Sequence, residues 1–148
     1  MSGKSRAFEQ LVIIPTLQYL GVASSDASQL LLGTALSESG LSSCCNGEGI
    51  GIYGITSEQH RDVWDRYLAF HPDLASRVRS LASRYEFLKS PDIEMQHNFA
   101  YATAIAWLIY ERSGLPVPTA SQDEELASFW RHYFHHGKAL HWQTPAAA

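Results

Sequence analysis

The sequence predicts a single, mainly α-helical domain that carries a small β-hairpin or looped wing. Apolar residues recur at three- and four-residue steps along most of the chain, which is typical of helices packed on one core. Five glycines between residues 40 and 54 interrupt that pattern and indicate the wing. The chain has 148 residues, 45% of them hydrophobic, which suits one core and leaves no room for a second catalytic domain. We expect that core to cover about residues 7–136, and residues 137–148 to form a frayed tail.

Local signals place the first two helices. Apolar side chains at near-helical intervals predict a helix over residues 7–20 that closes at Gly21, with a kink or division at Pro15. Ser24 or Ser25 can cap the next helix, which Gly40 should end.

Start signals also divide the second half of the chain. Thr56–Gln59 predicts a capping box, and Pro72 predicts a restart after that helix. Ser90 and Pro91 open a long apolar run to Arg112, which we expect to be the central core helix. Ser121–Glu124 predicts a second capping box ahead of the last helix.

Charge and composition exclude several functional classes. The formal net charge is −4 and no stripe of Lys or Arg is visible, so nucleic acid is not an expected partner. The apolar run 11–14 stops at Pro15 and is too short for a signal peptide or a membrane span. The pair His132 and His136 lacks an acidic or thiol partner at ligand spacing, so no metal site and no cofactor are predicted.

The adjacent residues Cys44 and Cys45 cannot form an ordinary structural disulfide across the fold. They are either buried small residues or an exposed reactive pair.

Three segments carry a resemblance to a known family. They are Ala35–Gly40, which contains Glu38, then Gly51–Thr56, and later the helix over residues 98–114. In this order they resemble the soluble lytic transglycosylase branch of the lysozyme-like superfamily, over roughly residues 30–133. Phage virion proteins of similar size also look like this chain around residues 31–38, 51–67 and 101–106. The resemblance implies a lysozyme-like fold and cleavage of β-1,4 MurNAc-GlcNAc bonds in peptidoglycan.

The resemblance assigns roles to particular residues. Glu38 matches the catalytic acid and base, and Ser39, Tyr53, Ile55 and Thr56 match the floor of a substrate groove. Tyr133 matches a late tyrosine that orients the acid. On residue type alone, Tyr53, Ile55 and Tyr133 suit a core equally well, and Thr56 is primarily a helix cap.

Two positions depart from the family pattern. Gly54 stands where the family usually has glutamine, and Tyr133–Phe134 stands where it has Tyr-Asn.

Glycosidic cleavage requires an acid that still holds its proton near neutral pH, and burial of a glutamate meets that requirement. Glu38 is the candidate, although a carboxylate there could equally cap or salt-bridge an ordinary helix end. A hydrolase needs a second carboxylate, for which Glu48 is the only acid in the wing, unless it is merely a solvated loop tip. A transglycosylase needs none, because the sugar's own 6-hydroxyl closes an anhydro ring.

We therefore expect a virion-associated lytic transglycosylase or lysozyme that opens the cell wall locally during phage genome entry. It would be made in the host cytoplasm without a signal peptide, sit in the phage tail or particle interior beside other virion proteins, and act in the periplasm. One alternative is a non-enzymatic virion or tail component that keeps the fold as a scaffold or glycan-binding module. A second is a cytoplasmic helical adaptor unrelated to glycans.

Overall fold

The computed structural model describes residues 2–42, 49–135 and 140–145, and this part of the chain is mainly helical, as the sequence predicts. Its buried apolar side chains form one cluster that extends from Phe8 to Phe134. None of the described helices is long and apolar enough to cross a membrane. The elements run in the order α1 Gly3–Phe8, a π-helical turn Glu9–Ile13, α2 Ile14–Tyr19, α3 Ser25–Ser39, α4 Ser57–Arg66, a 3-10 turn Leu68–Phe70, α5 Pro72–Leu81, α6 Glu86–Lys89, α7 Ile93–His97, α8 Phe99–Glu111 and α9 Asp123–Tyr133.

The N-terminal helix continues past Pro15 by widening. The N–H of Ile14 donates to the carbonyl of Glu9, one residue further back than in an α-helix. Pro15 then lies in the first turn of α2, where its missing N–H costs little. The predicted division at Pro15 thus takes the form of a π-helical turn just before it.

Helix α3 begins and ends where its sequence signals place it. The side chain of Ser24 accepts a 3.1 Å hydrogen bond from the N–H of Ala27, and Gly40 ends the helix with φ +67°. Most of its residues between 27 and 38 are buried, because other elements pack on several of its faces.

Helix α8 is the central core helix, with every residue from Tyr101 to Tyr110 buried. The prediction of one helix from Ser90 to Arg112 is wrong, because Asn98 breaks it into α7 and α8. The Asn98 side chain caps α8 by accepting from the N–H of Tyr101 at 3.0 Å, and it donates to the carbonyl of Leu81 at 2.7 Å. This competition by a side-chain amide explains the break.

The predicted β-hairpin is not formed by the described residues. Ile50 and Ile55 make a single antiparallel bridge, with backbone hydrogen bonds of 2.9 and 3.2 Å. Gly51 and Gly54, both at positive φ, close the turn between them, and we call Ile50–Ile55 the glycine turn. A methyl group on Gly51 would lie 1.9 Å from the Met95 carbonyl, so the glycine turn packs directly on α7. Thr56, directly after Ile55, already caps α4, so the chain leaves the bridge as a helix rather than as a strand.

The C-terminal end of the chain corrects two further predictions. Helix α9 begins after Gln122 without a side-chain cap, so the predicted capping box at Ser121–Glu124 does not form. Residues 140–145, which we call the C-terminal segment, are packed rather than frayed. Trp142 Nε1 and Thr144 Oγ1 donate to the two carboxylate oxygens of Asp123, at 3.0 and 2.7 Å.

The C-terminal segment also contacts α3 directly. The N–H of Gln143 donates to Ser37 Oγ at 2.7 Å, and the indole of Trp142 lies on the backbone of Gly33. The segment therefore joins α9 to the helix that carries Glu38.

Candidate active site

Glu38 lies in the last turn of α3 and is only 9% exposed. Its side chain meets two other parts of the molecule: the end of α9 and the glycine turn. Such an enclosed position for a carboxylate is unusual unless hydrogen bonds compensate its burial.

Two nitrogen donors of the α9 region reach the same oxygen of Glu38. Trp130 Nε1 donates to Oε2 at 2.9 Å, and His135 Nδ1 lies 2.9 Å from that atom. The two rings stack on each other with their centroids 4.7 Å apart. Because Trp130 is fully buried, this arrangement holds the carboxyl group in one orientation.

The glycine turn covers the other side of the carboxyl group. A methyl group built on Gly54 would lie 3.0 Å from Oε1 of Glu38, and the residue has φ +60°. A glutamine, which the resembled family places here, would be strained by this left-handed backbone conformation and would crowd Glu38. Both effects favour glycine at position 54.

The surroundings of Glu38 shift its pKa in opposite directions. Burial raises the pKa of Glu38 and is the largest influence, while the hydrogen bond and charge of His135 and the Trp130 hydrogen bond lower it. Burial prevails, so the pKa stays above the usual glutamate value. A carboxyl group of this kind holds a proton at a higher pH than an exposed one and can deliver it to a bound molecule.

Ser39 connects the end of α3 to the glycine turn. Its Oγ donates to the Ile52 carbonyl at 2.6 Å and accepts from the N–H of Ser42 at 3.2 Å. The role of Ser39 in the structure is thus to position the turn against Glu38.

Tyr53 and Ile55 are fully buried, so the structure places both side chains in the core. The Tyr53 hydroxyl shares a 2.8 Å hydrogen bond with Thr103 Oγ1. Thr56 forms the expected capping box with Gln59, with hydrogen bonds of 2.9 and 3.1 Å. Tyr53 and Ile55 therefore do not expose their side chains to a substrate, and the hydroxyl of half-buried Thr56 serves as a helix cap.

Tyr133 packs on its own helix, with ring centroids 4.7 Å from Phe129 and 4.5 Å from His132. The groups that hydrogen-bond Glu38 are Trp130 and His135, which sequence reasoning did not assign to the site. The available signal was that a buried acid needs N–H donors, and both ring types carry them close to Tyr133.

Several other candidates lie outside the described residues. They are Glu48, the proposed second carboxylate, together with Cys44, Cys45 and His136. Among the residues that the structure describes, no three His, Cys, Asp or Glu side chains come together as a metal site.

Comparison with known proteins assigns no family to this chain. No protein-family model matches it, and no curated protein or solved structure matches it significantly.

The geometry is suited to proton transfer. A buried carboxyl group with a raised pKa lies between a glycine turn and two aromatic N–H donors, which can stabilise the carboxylate once the proton has left.

Proposed function

We propose that this protein cleaves the β-1,4 MurNAc-GlcNAc bonds of peptidoglycan as a lytic transglycosylase, with Glu38 as general acid and then general base. The observation that carries the proposal is the state of Glu38: buried, oriented by Trp130 and His135, and raised in pKa. The similarity of Ala35–Gly40 and Gly51–Thr56 to that enzyme family adds the substrate class.

The reaction needs one proton to move twice. Protonated Glu38 gives its proton to the glycosidic oxygen as the bond from that oxygen to C1 of MurNAc breaks, and the leaving sugar departs as an alcohol. The carboxylate then takes the proton of the MurNAc 6-hydroxyl while O6 bonds to C1. The product is a 1,6-anhydro ring, and Glu38 is protonated again.

The electrostatic surroundings of Glu38 favour this route over hydrolysis. Within the described residues, His135 and Trp130 are the side chains that shift the pKa of Glu38 by charge or hydrogen bonding, and no carboxylate is among them. A retaining or inverting hydrolase places a second carboxylate across the bond. If hydrolysis occurs instead, Glu48 is the candidate for that second group.

The place of action follows from the same resemblance. We propose that the protein is a component of a phage tail or particle, associated with other virion proteins, and that it opens the cell wall locally during genome entry.

A second candidate function is a non-enzymatic virion or tail component that serves as a scaffold or glycan-binding module. The enclosure of Glu38 favours it, because Gly54 lies too close to Oε1 for a side chain to fit without crowding and two ring nitrogens contact Oε2. A carboxyl group held in this way also forms a stable link between α3 and α9.

Incubation with purified peptidoglycan, followed by mass spectrometry of the released muropeptides, tests the proposal. Wild-type protein should release anhydro-muropeptides and Glu38→Gln should release none while remaining folded. Glu111→Gln is the matched control, because burial also raises the pKa of Glu111, which lies at the end of α8 and should leave the products unchanged. Products with reducing ends would show that the enzyme is a hydrolase rather than a transglycosylase. No product from folded wild-type protein would favour the scaffold function.

A further inference from the structure

A cavity of about 400 Å³ lies between the N-terminal helices and the start of α3. We call it the N-terminal cavity. Its polar lining includes Glu9 and Gln10 of the π-helical turn, and its apolar lining includes Ile14, Leu17 and Val22. Its volume is within the range of pockets that bind small molecules. The function proposed above makes no use of it.

The N-terminal cavity contains a buried carboxylate with an available oxygen. Glu9 is 8% exposed, and both of its hydrogen bonds fall on Oε2, from Ser28 Oγ and Gln29 Nε2 at 2.7 Å each. Among the described residues, no donor reaches Oε1. Since Glu9 lines the cavity and has one oxygen fixed by two donors, its carboxylate is an oriented hydrogen-bond acceptor with capacity left on Oε1.

The π-helical turn supports a binding role for this place. It spans Glu9–Ile13 and therefore includes Glu9 and Gln10, both of which line the N-terminal cavity. π-helical turns are rare and occur frequently at functional sites. A buried acid, a cavity and a rare backbone turn thus coincide in one part of the molecule.

The lining determines what kind of molecule would bind. No Lys, Arg or His is among the described residues that line the cavity, so an anionic ligand would meet Glu9 without a compensating charge from them. The other polar groups are uncharged amides and hydroxyls that both donate and accept hydrogen bonds, on Gln10, Gln18, Gln29, Ser24 and Ser25. The start of α3 brings positive partial charge close to Glu9, which reduces the attraction for a cation.

We infer that the N-terminal cavity is a second saccharide site, in which Glu9 Oε1 accepts a hydroxyl of an uncharged sugar and the apolar lining contacts its C–H face. Ser28 and Glu38 are ten residues apart on α3, or about 15 Å along the axis, so this site is separate from the cleavage site. Its role in holding a glycan strand rests on the proposed function, but binding itself requires no cleavage.

NMR titration of the full chain with N,N′-diacetylchitobiose tests the inference. In wild type and in Glu38→Gln, backbone amides between residues 9 and 29 should shift and reach saturation. Glu9→Gln should weaken this binding about tenfold, because an NH₂ or a reoriented amide replaces the oriented acceptor. Gln18→Trp, a change on the exposed side of α2 that fills the cavity, should abolish these shifts even if Glu9→Gln fails to fold.

Three results would overturn the inference. They are no saturable shift at residues 9–29 in wild type, equal affinity in folded Glu9→Gln, and saturable binding of pentylamine there in preference to the sugar. The muropeptide assay separates the two proposals. Sugar binding at these amides without any muropeptide product refutes the proposed enzyme and supports the saccharide site. Anhydro-muropeptides without such binding support the enzyme and refute the saccharide site.

Discussion

At the scale of single residues, Glu38 is set between burial, which raises its pKa, and two hydrogen-bonding rings, which lower it. His135 is the stronger of the two rings, since it contributes a charge as well as a hydrogen bond. The raised pKa also makes the stability of the fold depend on pH. Protonated Glu38 favours the folded state below its unfolded pKa of about 4.5, and this contribution to the free energy of unfolding is lost as the pH rises through the folded pKa.

His135→Phe should raise the pKa of Glu38 further, because it keeps a stacked ring on Trp130 but removes the hydrogen bond and the charge. If Glu38 is the acid, cleavage falls as the pH rises through its pKa, so the falling limb should move to higher pH. The measurement is the pH profile of muropeptide release, together with NMR titration of the Glu38 carboxyl carbon.

His132→Phe is the control for that experiment, since His132 is exposed and its ring lies against Tyr133 rather than Glu38. An unchanged Glu38 titration in His135→Phe would refute the role given to this histidine.

At the scale of elements, the position of Glu38 depends on how α3 is held. The glycine turn packs at its C-terminal end through Ser39, and the C-terminal segment packs on its middle through Trp142. Gly33 lies in the interior of α3, where alanine normally makes a helix about 1 kcal/mol more stable than glycine does. A methyl group there would lie 2.1 Å from Cη2 of Trp142, which explains the glycine.

Gly33→Ala should therefore lower the free energy of unfolding by about 1–3 kcal/mol, because the indole of Trp142 must move away from α3. In the background of Trp142→Ala, the same change should be neutral or stabilising by up to ~1 kcal/mol. Urea denaturation of the four proteins measures this coupling. An equal cost of Gly33→Ala in both backgrounds would show that the C-terminal segment does not pack on α3.

At the scale of the whole molecule, a polar network links α4 to α8 and to the chain before α7. Trp64 Nε1 donates to the Tyr101 hydroxyl oxygen at 2.7 Å, and the O–H of Tyr101 then donates a hydrogen bond to His60 Nε2 at 2.6 Å. Nδ1 of His60 then donates to Asp92 at 2.9 Å, and Ser57 also donates to Asp92. The network requires a neutral His60.

Acid should weaken the fold through His60. Burial lowers the pKa of His60 despite the hydrogen bond and charge of Asp92. Its contribution to stability is therefore present above the unfolded pKa of about 6.5 and is lost as the pH falls toward the folded pKa. The loss for one proton is at most about 1.4 kcal/mol per pH unit.

Urea denaturation at pH 7 and pH 5 should show a smaller decrease in His60→Gln than in wild type. The raised pKa of Glu38 changes the free energy of unfolding with pH in the opposite direction, and the charge of Arg61 acts on Asp92. Both residues are present in wild type and in the variant, so their effects cancel when the two decreases are compared. His97→Gln, at an exposed position of α7, serves as the control. An equal decrease in wild type and His60→Gln would exclude this histidine as the source.

The sequence by itself determined the features that depend on neighbouring residues. The glycine end of α3, the capping box at Thr56 and the restart at Pro72 were predicted at the correct positions, and the cap of α3 is Ser24, one of the two serines predicted for it. Each depends on groups within about four residues of one another, so the local sequence contains both partners. Glu38 could be selected in the same way, as an acid at the end of an apolar helix.

Only the tertiary structure decided what surrounds that acid. Trp130 and His135 are 92 and 97 residues from Glu38 along the chain, and Trp142 lies over Gly33 from the far end of the sequence. The break at Asn98 likewise involves the distant carbonyl of Leu81. Burial and hydrogen bonding set the pKa of a carboxyl group, and both come from residues that folding, rather than sequence proximity, brings together.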